Sequence, residues 1–67
     1  MDWMTVEIAK EVEALRKKEY SYNRIVEHIQ ESYPSLNIKV YRGLGYIICR
    51  EAASLLQNRI GTTFNED

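Results

Sequence analysis

Apolar positions along the first half of the chain recur at helical spacing. Met4, Ile8, Val12 and Leu15 line one face of a helix expected to run from about Trp3 to Glu19. Asp2 stands where a carboxylate can cap that helix, Glu7 suits the positive end of its dipole, and Arg16, Lys17 and Lys18 crowd the negative end. Tyr22, Ile25, Val26, Ile29 and Tyr33 form a second stripe, the cleanest in the sequence, with Ser21 as its cap. Pro34 disfavours helical geometry at Tyr33, so this helix stops there and residues 34–37 read as a turn.

The last third admits two readings. The first is a helix capped by Asn37, running from Ile38 to about Ile60 and stopped by Gly61. It sorts Val40, Tyr41, Leu44, Ile47, Ile48, Ala52 and Leu55 onto one side. Lys39, Arg42, Tyr46 and Arg50 then fall within an arc of roughly 80° on the other. Gly43 and Gly45 oppose this helix, each costing ~1 kcal/mol in its interior. The second reading is a β-hairpin at about 36–50, in which Leu36, Ile38 and Val40 alternate and the glycines make a tight turn. The helix accounts for the angular sorting, whereas the hairpin puts Ile47 and Ile48 on opposite faces of a thin sheet. The expected fold class is therefore mainly α, with three helices over residues 1–61 and a frayed tail at 62–67. The alternative is α+β.

Composition narrows what such a fold can do. A chain of 67 residues makes one domain, and one this short buries only about 60% of its unfolded surface. Its single cysteine allows no intrachain disulfide and no multi-thiolate zinc site. Stability must come from helix packing or from association, and a homodimer is expected, with Trp3, Leu55, Leu56 and Ile60 as its apolar surface. The lone thiol suits a reducing, cytoplasmic compartment. The longest apolar run, Tyr46-Ile47-Ile48-Cys49, is far short of the ~20 residues a membrane crossing needs. No basic stretch followed by an apolar block opens the chain, so no signal peptide is expected.

The formal net charge is −1, but the charge is unevenly distributed. Between Leu15 and Arg50 seven Lys/Arg face three acids. A helix with an apolar back and a basic, tyrosine-bearing front can present cations to a phosphate backbone. Lys17, Lys18, Arg24 and Arg50 are the candidate phosphate contacts, and Lys39, Arg42 and Tyr46 the candidates to reach base edges. His28 lies off the second stripe and is expected to be exposed, with no second His or Cys at ligand spacing. Cys49 reads as a small half-buried residue. No acid–base pair, metal cluster or activated nucleophile is visible, so neither an enzyme nor a cofactor is expected.

Two family resemblances follow from these residues. The run Arg16-Lys17-Lys18-Glu19-Tyr20-Ser21-Tyr22-Asn23-Arg24-Ile25-Val26, followed by Val40-Tyr41-Arg42, resembles the helix-turn-helix of prokaryotic DNA-binding proteins over about residues 14–48. That resemblance implies a supporting second helix and a third helix entering the major groove. Ile38-Lys39-Val40-Tyr41-Arg42-Gly43-Leu44-Gly45-Tyr46 is similar to the wing hairpin of response-regulator winged helices. Both imply contact with double-stranded DNA by the same basic residues, in a small prokaryotic, viral or plasmid transcriptional regulator or accessory factor. A dimeric helical adaptor that docks on another protein is the competing expectation.

Overall fold

The structure, a computed structural model, describes the backbone of residues 1–64 and the side chains of residues 1–58. Three helices make up the described chain: α1 (Val6–Lys17), α2 (Tyr22–Ser32) and α3 (Leu44–Phe64). No strand occurs among the described residues, so the hairpin expectation gives way to a mainly helical fold.

The first two helices follow their capping chemistry. Helix α1 starts later than expected, because Thr5 rather than Asp2 caps it, its hydroxyl accepting from the Ile8 amide at 3.2 Å. Met1 to Met4 form a turn instead, closed by the Met4 amide on the Met1 carbonyl at 3.3 Å. At the other end, Glu19 adopts φ 65°. The Tyr20 amide reaches back to the Leu15 carbonyl at 3.1 Å and the Glu19 amide to Arg16 at 2.8 Å. This is a Schellman closure with a non-glycine residue in the left-handed position. Ser21 caps α2 as expected, accepting from the Arg24 amide at 3.2 Å.

The third segment departs from both readings. Residues 37–43 are irregular, and the helix begins only at Leu44. Leu36 and Ile38 pack against the core, and the chain then swings outward, leaving Lys39, Val40, Tyr41 and Arg42 exposed. The Leu44 amide closes a turn on the Tyr41 carbonyl at 3.1 Å, with Gly43 at φ 88° in its third position. Gly45 sits where α3 crosses the start of α2. A Cβ there would come within 2.6 Å of the Tyr22 carbonyl carbon. The two glycines that opposed a continuous helix thus serve a turn and a close crossing. Gly61, expected as the stop, lies within α3, since glycine lowers helix stability by ~1 kcal/mol without forbidding it.

Helix α3 packs mainly on α1 and secondarily on α2. Ile8, Ala9, Val12 and Leu15 of α1, Ile25, Val26 and Ile29 of α2, and Leu44, Ile48 and Ala52 of α3 form the buried core. At 1.5 Å per residue α3 is roughly 31 Å long, comparable with the 39 Å long dimension of the molecule. No described helix is long and apolar enough to cross a membrane.

Candidate nucleic-acid interface

The end of α1 and the starts of α2 and α3 meet around aromatic rings. The Arg16 guanidinium lies 4.6 Å from the centroid of the Tyr22 ring, and its Nη1 donates to the Tyr20 carbonyl at 2.9 Å. Tyr22 in turn meets Tyr46 edge-to-face, with centroids 5.8 Å apart and planes at 84°. Arg24 stands 5.9 Å from the Tyr20 ring and pairs with Glu27 at 3.2 Å. Such contacts hold cations and rings in place without removing them from water.

Of the expected DNA-contacting residues, Arg24 and Tyr46 belong to this cluster, and the set does not share one helix face. Lys17 and Lys18 are exposed at the end of α1, and Arg24 is exposed in the first turn of α2. Lys39 and Arg42 are exposed but precede α3, so the angular sorting drawn through them does not exist in the molecule. Only Tyr46 and Arg50 project from the helix itself, one turn apart and both exposed. Val40 and Tyr41, expected to face inward, are 57% and 53% exposed, because the outward swing after Ile38 carries them off the core. From Leu44 onward the apolar side of the pattern holds at Leu44, Ile48, Ala52 and Leu55, whereas Ile47, expected inward, is only half-buried and lines the surface instead. No ion pair engages Lys17, Lys18, Lys39, Arg42 or Arg50 among the described residues, and neither α2 nor α3 carries an acid in its first turn. Arg50 and Glu51 share a shallow open depression with Ile47 and Ser54.

The residues expected at a dimer surface have contacts within the chain. Trp3, Leu55 and Leu56 are half-buried against its own core. Ile60 lies outside the described side chains.

A second polar cluster, absent from the sequence reading, joins α1 to the end of α2. Glu11 Oε1 lies 2.9 Å from His28 Nε2, and Tyr33 Oη donates to Glu11 Oε2 at 2.6 Å. An ionised carboxylate only accepts, so the His28 Nε2 carries the shared proton. The Tyr33 hydroxyl, and after it His28, hold the Glu11 carboxyl below its ordinary value, while the Tyr33 phenol is pushed up to about 12 chiefly by the same hydrogen bond. His28 is therefore partnered and half-buried rather than exposed and alone. The signal was present: Glu11 immediately precedes the stripe residue Val12, and His28 immediately precedes Ile29, so both stand on the rim where two stripes face each other. A carboxylate satisfied twice and made less basic is suited to joining helices, not to accepting a proton from a substrate.

Cys49 is half-buried on α3, and burial raises its thiol pKa, which leaves it a poor nucleophile. No group of three or more His, Cys, Asp or Glu side chains that could hold a metal gathers among the described residues. Comparison of the chain with protein-family models, with curated proteins and with solved structures gives no match.

Proposed function

We propose that this chain binds double-stranded DNA as a small helix-turn-helix-like regulator or accessory factor. The observation that carries the reading is the set of exposed cations about the start of α3, which have no acidic partner among the described residues. Helix-turn-helix proteins read bases with the first turns of the second helix of the motif. Tyr46 and Arg50 occupy the first turns of α3, with Lys39 and Arg42 just ahead of them. In this reading Tyr46 meets the bases, whereas Lys17, Lys18, Arg24, Lys39, Arg42 and Arg50 fix register on phosphates. The connection from Tyr33 to Gly43 is longer than the usual turn of the motif, which makes Lys39 and Arg42 an arm ahead of the helix. A homodimer through Trp3, Leu55, Leu56 and Ile60 would double these contacts and set a half-site spacing.

Electrophoretic shift of mixed-sequence duplex across a salt series tests the proposal. Binding should weaken steeply with salt, and Lys39→Ala and Arg42→Ala should each lower the slope of log affinity against log salt by about one. A folded protein that ignores DNA at low salt would instead support the protein-docking adaptor, which the exposure of Val40 and Tyr41 favours. Sedimentation of the free chain tests the dimer.

A further inference from the structure

Apart from Met1, the exposed large hydrophobic side chains of the described residues are Tyr22, Val40, Tyr41 and Tyr46. All belong to the starts of α2 and α3 or to the segment leading into α3. The cations Arg16, Arg24, Lys39 and Arg42 stand among them in sequence or in contact. Phosphate contacts alone do not need this arrangement. In an intact duplex the faces of the bases are hidden in the stack, and only edges and backbone meet a protein. A tyrosine ring gains most where a base has left the stack and can lie against it. Tyr46 is already oriented by its edge-to-face contact with Tyr22, over whose ring Arg16 lies, so little ordering of Tyr46 remains to be done on binding, and Tyr41 stands more than half exposed ahead of it.

Resting on the DNA reading above, we infer that the preferred ligand is DNA in which unpaired bases adjoin duplex, as at a bulge, gap or fork. Tyr41 and Tyr46 stack on the unpaired bases, and Lys39 and Arg42, which flank the Val40–Tyr41 pair, hold the phosphates on either side. The positive charge of the patch complements the nucleic acid, and the rings select the state of its bases.

Fluorescence anisotropy tests this with three labelled ligands at one salt concentration: a duplex, the same duplex interrupted by a short unpaired thymine stretch, and oligothymidylate. The interrupted duplex should bind roughly tenfold more tightly than the intact one. Tyr41→Ser should erase most of that preference and Tyr41→Phe should keep it. Tyr41 is more than half exposed, so neither change threatens the fold. Tyr46→Ser should act in the same direction, with helicity checked by circular dichroism. Equal affinity for intact and interrupted duplex would overturn the inference and leave the duplex-binding reading standing. So would a preference that survives Tyr41→Ser and Tyr46→Ser, because it would arise from backbone flexibility alone. Absence of binding to all three ligands removes the DNA reading itself, and this inference with it.

Discussion

The two ends of α2 use polar residues in opposite ways. At its C-terminal end Glu11, His28 and Tyr33 satisfy one another across the α1–α2 contact. At its N-terminal end Arg16, Tyr22 and Tyr46 are held in place by ring contacts, and the cations around them remain in water. A polar group answered inside the chain contributes to the fold. One that is positioned but left exposed is available to something outside it. Tyrosine serves both ends, and what separates Tyr33 from Tyr22 and Tyr46 is the partner each finds, which a residue list cannot show.

The largest expected effect comes from breaking the exposed end at its backbone. Gly45→Ala drives a methyl group into the Tyr22 backbone at the α2–α3 crossing. It should cost about 3 kcal/mol, seen as a large fall in Tm by circular dichroism, and should take nucleic-acid binding with it. An unchanged Tm would mean that the crossing is looser than its geometry indicates.

Removing the closed end has a smaller and separable effect. Glu11→Ala should cost on the order of 1–2 kcal/mol and leave DNA affinity unaltered once the protein is folded. The same cluster sets an acid limb. The Glu11 carboxyl titrates below its ordinary 4.5 in the fold, first through Tyr33 and then through His28. Its contribution is therefore fully present above that value and is lost as pH falls through the lower folded value. The Tyr33 phenol works in the other direction: with its folded pKa pushed up to about 12, its contribution is present below 10 and lost as pH rises further. Denaturant midpoints measured across pH should decline at both extremes, and Glu11→Gln should flatten the acid limb.

Two milder substitutions sharpen the contrast. Glu19→Gly relieves a left-handed residue at the α1 closure and should raise stability by about 0.5–1 kcal/mol, read as a higher Tm. Arg24→Ala removes an exposed ion pair with Glu27 and should change stability by less than about 0.5 kcal/mol. If Arg24 serves the exposed end as a phosphate contact, that same variant lowers the salt slope of DNA binding, and a slope equal to that of the unaltered chain would remove it from the interface.

The presence of α1 and α2 and the start of α2 follow from local signals in the sequence by itself. Spacing puts Ile8, Val12 and Leu15 on one face of α1 and Ile25, Val26 and Ile29 on one face of α2, and Ser21 caps the latter. The start of α1 lies later than the sequence suggests, because Thr5 and not Asp2 caps it. Spacing also places Leu44, Ile48, Ala52 and Leu55 on the inner side of α3, though not Ile47. The start of α3 was decided by tertiary structure. Leu36 and Ile38 are drawn onto the core, Gly43 takes the turn, and Gly45 is needed where another helix backbone comes close. Periodicity carries no trace of such a crossing, and so it ran a helix through Lys39 and Arg42. The joining of Glu11 to His28 and Tyr33 belongs to the same class. Each residue stands on the rim of its own stripe, and only the packing of α1 against α2 decides which rim residues meet.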